Sequence, residues 1–152
     1  FLDAALICAL FPEARVIALR RDYRAIALSN DFQHFAAKRG TLGYAFDLEA
    51  MGHHLRDVHR LLAHWRAELP PEQYREFHYE DLVQRPDTAI PEVLALCDLG
   101  FTPEVLDFYR NKTAVRTASL RQVRTPLYTG SVEKWRHYQA LLQPVIDIVE
   151  AE

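Results

Sequence analysis

The chain is poor in the residues that would place it at once in a specialised class of protein. Its 152 residues include only two cysteines and five glycines, and its formal net charge is −3. Two cysteines so far apart cannot form the disulfide framework of a small secreted domain, so we expect Cys8 and Cys97 to be buried free thiols in the reducing cytoplasm. A nearly neutral chain with 49% hydrophobic residues indicates one globular domain rather than a disordered segment or a nucleic-acid-binding protein.

Long apolar runs and several familiar catalytic motifs are also missing. The longest apolar run, residues 4–11, has eight residues, whereas a helix that spans a membrane needs about 20. The sequence contains no paired-cysteine motif, no G-x-S-x-G and no Walker A motif. His53, His54, His59 and His64 share one predicted helix, but no two of them are four residues apart, the spacing that lets two histidines bind one metal ion. We therefore expect neither a membrane partner nor a metal site.

The small net charge conceals a strong segregation of charge along the chain. Residues 14–39 carry six basic and two acidic side chains, residues 68–107 carry two basic and ten acidic ones, and residues 110–136 carry seven basic and one acidic. Two basic clusters around an acidic middle segment are typical of a local anion-binding site.

Strands alternate with helices in the hydrophobic pattern, which predicts an α/β fold with a parallel sheet. Short apolar strands are predicted at residues 14–19 and 75–79, and a buried helix at 2–10. Further helices are predicted after the capping residues Asp22 and Asp47, near 87–98 and at 103–109. The helix after Asp47 is predicted to end at Pro70 and Pro71, and a last helix is predicted to be capped by Ser131 and bent or broken at Pro144. We expect the two strands to be parallel neighbours or near-neighbours. Because a two-stranded sheet is marginal by itself, we also expect either further strands supplied by the rest of the protein or by another chain, or an exposed apolar edge.

Polar side chains follow both predicted strands at the point where each one ends. Arg20 and Arg21 follow the first strand, and Tyr79, Glu80 and Asp81 close the second. In open α/β sheets ligands bind beyond the carboxyl ends of the strands, and an arginine there suits a phosphate or a carboxylate. The alternative, equally supported by this stretch alone, is that Arg21 only pairs with Glu80 or Asp81.

The second basic cluster favours the anion site. Residues 116–135 offer three arginines, one lysine and many hydroxyl groups against a single carboxylate, whereas an ordinary solvated loop mixes both signs. Side-chain and backbone donors of this kind suit a phosphate group. A basic loop that docks on the acidic middle segment of the same chain is the alternative interpretation.

Four stretches together resemble the sulfotransferases that use 3′-phosphoadenosine 5′-phosphosulfate (PAPS). In chain order they are LFPEARVIALRRDYRAIALSNDFQHF, LLAHWRAELP, HYEDLVQRP and VRTASLRQVRTPLYTGSVEKWRHY. The resemblance covers nearly the whole chain. It is strongest to the bacterial type found behind TPR repeats and weaker to the tyrosylprotein sulfotransferases. It implies a P-loop-NTPase-like α/β fold, rich in helix, and PAPS as the sulfate donor.

The resemblance also implies roles for individual residues. Arg21 and Ser29 match the pair that holds the 3′-phosphate of PAPS, and Tyr79 matches a tyrosine that contacts the adenine. The remaining matches are to a loop that closes over the nucleotide and to a basic residue of the same site: Ser119, Gln122, Val123, Arg124 and Lys134. Gln33 stands where some relatives have a further arginine.

Part of the family pattern is not found in these residues. In the family, the first strand, the phosphosulfate loop with its lysine or arginine, and the catalytic base all precede the segment matched by residues 14–21. We therefore expect residues 1–152 to form the carboxyl-terminal part of a single sulfotransferase domain, inactive by itself, with a TPR region as a further part of the same protein.

The expected function of the parent protein is transfer of a sulfuryl group from PAPS to a hydroxyl or amine acceptor, leaving 3′-phosphoadenosine 5′-phosphate (PAP). The acceptor class stays open between carbohydrate, protein tyrosine and small metabolite. Two alternatives remain at this point. One is a nucleotide or nucleoside kinase-like enzyme of the same general fold, and the other is a non-catalytic module that binds acidic partners through residues 110–136.

Overall fold

The computed structural model describes residues 1–32, 43–110 and 125–151. Two strands, six α-helices and three 3₁₀ segments follow one another in these ranges. They are α1 (Ala4–Leu10), β1 (Val16–Arg20), α2 (Tyr23–Asp31), a 3₁₀ turn (Gly43–Phe46), α3 (Leu48–Glu68), β2 (Tyr74–His78), α4 (Tyr79–Gln84), α5 (Pro86–Leu96), a 3₁₀ segment (Pro103–Arg110), a second one (Lys134–Tyr138) and α6 (Gln143–Glu150). None of the helices in these ranges is long and apolar enough to cross a membrane.

The two strands form a parallel sheet, as their apolar patterns predict. Val16 lies opposite Tyr74, and Arg20 lies opposite His78. Both strands are shifted slightly from the predicted bounds, and Tyr79, predicted to end the second strand, begins α4 instead. The outer side of the sheet is exposed, since 40% of Ile17 and 54% of Leu19 are accessible to solvent. This exposed apolar surface is the one expected of a two-stranded sheet.

Aspartates begin the two helices for which the sequence predicts a cap. An oxygen of the Asp22 carboxylate accepts from the backbone N–H of Arg24 at 2.8 Å, and Asp47 Oδ1 accepts from the N–H of Ala50 at 2.7 Å. Each bond satisfies one of the donors that the first turn of a helix leaves without a partner. α3 ends at Glu68, just before Pro70 and Pro71, as predicted.

The main hydrophobic core lies between the helices rather than against the sheet. Helices α2, α3 and α6 supply most of it, and Trp135 closes it from the last 3₁₀ segment. Its buried members are Ala25, Ala27, Leu28, Ala45, Met51, Leu55, Trp135, Leu142, Val145 and Ile146. The helix that follows β1 is therefore fixed by its packing into this core, which supports the side chains that it carries.

Two predicted elements differ from the observed ones. The first helix exists, but it is not buried, because only Ala4 and Cys8 face inward while Leu6, Ile7 and Leu10 are exposed. An apolar pattern on all sides of a helix does not reveal which side will be covered. Cys8 is a buried free thiol as expected, whereas Cys97 is only partly buried.

The predicted last helix with its cap at Ser131 is wrong. The chain instead forms two separate segments, Lys134–Tyr138 and α6, and no side-chain hydrogen bond caps either of them. The break falls before Pro144, which lies in the first turn of α6, where a proline needs no backbone donor. The hydroxyl group of Ser131 is consequently available for another partner.

Helices α3 and α6 approach each other closely at Gly52. A Cβ atom at this position would lie 3.0 Å from Cβ of Ile148 and 3.2 Å from its Cδ1. A Cβ atom at these distances would force the Ile148 side chain to shift by a few tenths of an ångström. Glycine at position 52 therefore suits the close packing of the two helices, and a large side chain there would disturb it.

We predict that Gly52→Leu lowers the free energy of unfolding by about 1–3 kcal/mol, because overpacking forces neighbouring side chains and backbone to shift. Chemical denaturation followed by circular dichroism measures the change. Asp57→Leu, at an exposed position one and a half turns further along α3, is the matched control and should change the stability by less than about 0.5 kcal/mol. Equal stabilities of the two variants would contradict the close approach.

Candidate functional site

The site begins where the two parallel strands end. Because Arg20 lies opposite His78, the residues that follow, Arg21 and Tyr79, come side by side at the carboxyl edge of the sheet. The guanidinium carbon of Arg21 lies over the Tyr79 ring, 4.7 Å from its centroid. The backbone N–H of Asp22 donates to Glu80 Oε1 at 3.0 Å, which ties the two strand ends together. The register of the sheet thus creates a cation–π pair at the edge where ligands bind.

Ser131 joins this pair from a distant part of the chain. Its carbonyl oxygen accepts from Nη2 of Arg21 at 3.3 Å, and its hydroxyl oxygen lies 3.2 Å from the hydroxyl oxygen of Tyr79. Nε of Arg21 is buried and has no hydrogen-bond partner among the residues that the structure describes. The guanidinium is therefore held in place while part of its donor capacity stays unused.

Helix α2 forms a second wall with Ser29, about two turns after Arg21. This wall and the strand ends enclose a pocket of about 560 Å³, within the usual size range of sites for small ligands. Its lining residues are Arg21, Ala25, Leu28, Ser29, Phe32, Tyr79, Val83, Phe108, Thr125, Pro126, Leu127, Tyr128, Gly130, Ser131 and Lys134.

Lys134 supplies a second positive charge at the pocket. Its Nζ atom lies 4.8 Å from the centroid of the Phe32 ring. The next residue, Trp135, is buried and stacks under the guanidinium of Arg24, whose central carbon is 3.7 Å from the indole centroid. Arg24 belongs to α2, so this stacking fixes the segment that carries Ser131 and Lys134 against the helix that carries Ser29.

The charge of the pocket favours an anion with an apolar or aromatic portion. Two cations line it, and none of its described lining residues is a carboxylate. Hydroxyl groups of Ser29, Tyr79 and Ser131 add hydrogen-bonding capacity. The rest of the wall is apolar and includes Phe108 and Tyr128. The described residues contain no group of three or more side chains that could hold a metal ion.

The carboxylate nearest in sequence to the site residue Arg21 is neutralised within α2. Asp22 accepts from Nε of Arg24 at 3.0 Å and from Nη2 at 2.7 Å. Burial raises the pKa of Asp22, but the hydrogen bonds and positive charge of Arg24 outweigh it, so that this pKa lies below its ordinary value. Asp22 is therefore ionised and engaged with Arg24, which limits its repulsion of an anion bound at Arg21.

The structure brings together four of the eight predicted site residues, Arg21, Ser29, Tyr79 and Lys134, around one pocket. The other four, Ser119, Gln122, Val123 and Arg124, lie outside the described residues, and so does Gln33. The alternative partners of Arg21 are engaged elsewhere. Glu80 accepts from the backbone of Asp22, and Asp81 pairs with Arg85.

Three residues of the site were missed by sequence reasoning. Ser131 was interpreted as a helix cap, since a serine before a helical pattern is typical of one. Phe108 and Tyr128 stand in segments where nothing in the spacing of apolar residues distinguishes a pocket wall from a surface position. The aromatic residues in the basic 116–135 segment were the available signal, because a positively charged segment interleaved with aromatic residues suits a ligand with both a phosphate and a ring.

Comparisons with known proteins give a family, a close relative in sequence and a structure of similar fold. A family model described as the sulfotransferase family matches residues 1–103. An uncharacterised protein of Aquifex aeolicus (strain VF5) is 46% identical over 145 residues, which is 95% of this chain but only 19% of that protein. A sulfotransferase domain from the curacin biosynthetic pathway is similar in fold, with a TM-score of 0.65 and 19% identity over 94% of this chain and 54% of that domain. The chain thus spans about half of the solved domain and about a fifth of the curated relative.

We predict that Asp22→Asn destabilises the protein at neutral pH by about 0.5–1 kcal/mol, because asparagine keeps the capping oxygen but loses the ion pair with Arg24. A carboxyl group whose pKa is lowered on folding stabilises the folded state above its unfolded pKa, and this contribution is lost as the pH falls through the folded pKa. The two stabilities should therefore converge in acid, below about pH 4. Denaturation at several pH values measures this, and a difference independent of pH would contradict it. Asp57→Asn is the control for the loss of one negative charge.

Proposed function

Because the chain belongs to the sulfotransferase family, we propose that it forms part of an enzyme that transfers a sulfuryl group from PAPS to a hydroxyl or amine acceptor and releases PAP. The observation that carries this proposal is the pairing of Arg21 and Tyr79 in a pocket with two cations and an apolar wall. A nucleotide with two separate phosphate groups and a purine ring needs both kinds of surface.

Arg21 is the proposed ligand of the 3′-phosphate, with Ser29 as a second donor. The buried Nε of Arg21, without a partner among the described residues, has a donor to offer. A guanidinium presents several donors in a plane that matches phosphate oxygens. Because Ser131 and Tyr79 already restrict the guanidinium, little conformational entropy is lost when the phosphate binds.

The adenine ring fits the apolar side of the pocket. Tyr79 has Arg21 over one face of its ring, so it offers the adenine its edge or its other face. Val83, Phe108 and Tyr128 extend this surface. Lys134, whose Nζ lies over the Phe32 ring, is the proposed second phosphate ligand. Ser119, Gln122, Val123 and Arg124 complete the proposed site, as the resemblance of the 116–135 segment implies.

The proposed reaction forms a bond from the acceptor oxygen or nitrogen to sulfur, while the bond from sulfur to the bridging oxygen of the phosphosulfate breaks. The acceptor gives up a proton, and negative charge builds on the leaving oxygen. Such transfers depend on positioning and on neutralising charge. The residues described here anchor the nucleotide at its 3′-phosphate and base, so their part in the reaction is binding and orientation.

We also propose that these residues are the carboxyl-terminal part of one sulfotransferase domain and that the exposed apolar side of α1 and β1 packs against the rest of it. Leu6, Ile7, Leu10, Ile17 and Leu19 are all exposed in the chain by itself. Exposed large apolar side chains in such number are typical of an interface. The TPR region, the cytoplasmic location and the class of acceptor stay predictions.

We predict that the protein binds PAP roughly ten- to hundredfold more tightly than AMP, which lacks only the 3′-phosphate, since a charge-assisted hydrogen bond contributes about 1.5–3 kcal/mol. Arg21→Ala should remove most of this preference. Isothermal titration calorimetry with both nucleotides measures it.

The matched control for Arg21→Ala is Arg15→Ala, which removes a guanidinium from the other end of the same strand, where it pairs with Asp98. This variant should keep the preference for PAP. Equal affinities of the unmodified protein for PAP and AMP would contradict the proposed function. Tighter binding of ATP than of PAP would favour a kinase-like enzyme, and binding of polyanions without preference would favour a module for acidic partners.

We further predict that the 152-residue chain by itself has no sulfotransferase activity, because the cation beside the leaving oxygen and the base beside the acceptor have no assigned residue among those described. His78, next to Tyr79 in the chain, lines a different pocket from the one that contains Arg21 and Tyr79. Incubation with labelled PAPS and a panel of phenolic and sugar acceptors tests this. Turnover clearly above the buffer background would show that the catalytic groups lie within these residues.

A further inference from the structure

We infer that Ser131 is a positioning residue, which sets the preference for the 3′-phosphate by holding Tyr79 and Arg21 in their binding arrangement. This inference rests on the proposed function. It concerns a residue that comes 102 positions after Ser29 and 52 after Tyr79 in the chain.

The contacts of Ser131 connect the residues of the proposed phosphate site. Ser131 contacts both members of the cation–π pair, through its carbonyl oxygen to Arg21 and through its hydroxyl to Tyr79. Arg21 and Tyr79 also contact each other, with 4.7 Å between the guanidinium carbon and the ring centroid. Three groups from three separate segments thus form a closed triangle, and each contact restrains the other two.

Ser131 is itself anchored by the turn and the buried residues around it. The N–H of Val132 donates to the carbonyl of Thr129 at 2.9 Å, which closes a turn around Ser131. Val132 and Trp135 are buried, and Arg24 stacks on Trp135. The serine is therefore fixed to the core independently of Tyr79, and it can orient the phenol rather than follow it.

The hydrogen-bonding requirement of the Tyr79 hydroxyl also favours this role for Ser131. The Tyr79 hydroxyl needs a partner in a half-buried position, and Ser131 provides one at hydrogen-bonding distance. Without it the ring gains freedom to rotate, and the guanidinium stacked on the ring loses one of its two restraints. A phosphate would then bind more weakly, because ordering the guanidinium on binding costs conformational entropy.

The test is a double-mutant cycle on PAP and AMP affinity with Ser131→Ala, Tyr79→Phe and the double variant. Tyr79→Phe keeps the ring under Arg21 and removes only the hydroxyl that meets Ser131. We expect each single variant to bind PAP about three- to tenfold more weakly. The double variant should be no weaker than either single one, because both changes remove the same hydrogen bond.

Two further variants separate this role from a structural one. Ser131→Thr keeps the hydroxyl and should restore PAP affinity to within about twofold of the unmodified protein. Thr129→Val removes a hydroxyl from the same turn, where Thr129 lines a neighbouring pocket instead of the site, and it should leave PAP affinity unchanged. Thermal unfolding by circular dichroism confirms that each variant is folded.

The outcomes distinguish the two proposals. A protein that prefers PAP to AMP but shows fully additive losses in the double variant would overturn the role of Ser131 and leave the proposed function intact. The same holds if Ser131→Ala only lowers the unfolding temperature and binds PAP as before. A protein with equal affinity for PAP and AMP would overturn the proposed function, and the inference about Ser131 with it.

Discussion

The parallel register of the two strands is the constraint on which the site depends. Because Arg20 is paired with His78, the next residue of each strand arrives at the same edge, and the guanidinium of Arg21 comes to lie over the Tyr79 ring. A shift of one residue in either strand would exchange the faces on which the side chains project. It would then separate Arg21 from Tyr79 and remove the surface that Ser131 contacts. No loop sequence could restore the site after such a shift.

The helices stabilise this edge from behind. The main core lies among α2, α3, α6 and Trp135, so the wall that carries Ser29 is well packed, although the part of the sheet that the structure describes has two strands. Arg24 connects the core to the site, since it pairs with Asp22 at the start of α2 and stacks on Trp135 beside Lys134. The exposed side of β1 and α1 contrasts with this well-packed side. The chain thus has one well-packed hydrophobic core and one apolar surface that no other described residues bury.

Local signals in the sequence predict the elements that depend on local physics. The apolar runs that end at Arg21 and Tyr79 predict both strands, and Asp22 and Asp47 predict where helices start. Other features depend on contacts between distant segments. Helix α4 begins directly after β2, and no side-chain hydrogen bond caps its first turn. The sequence therefore contains no capping residue that would predict where it starts. The partner of the Ser131 hydroxyl is decided by the position of Tyr79, which is 52 residues away. The resemblance of residues 116–135 to a family identified five candidate ligands that spacing alone does not, but four of these lie outside the described residues.

The hydrogen bond between Tyr23 and Glu150 has a consequence for how the protein is made. The Tyr23 hydroxyl donates to Glu150 Oε1 at 2.6 Å across 127 residues of chain. Strand β1 pairs with β2 across a shorter but still long separation that contains α2 and α3. Contacts of such high sequence separation slow folding, because long loops must close before any contact compensates for the lost entropy. During synthesis, the first strand and α2 leave the ribosome well before their partners exist. The nascent chain therefore exposes Arg21, the apolar side chains of β1 and the unsupported helix α2 for as long as translation of the following residues takes.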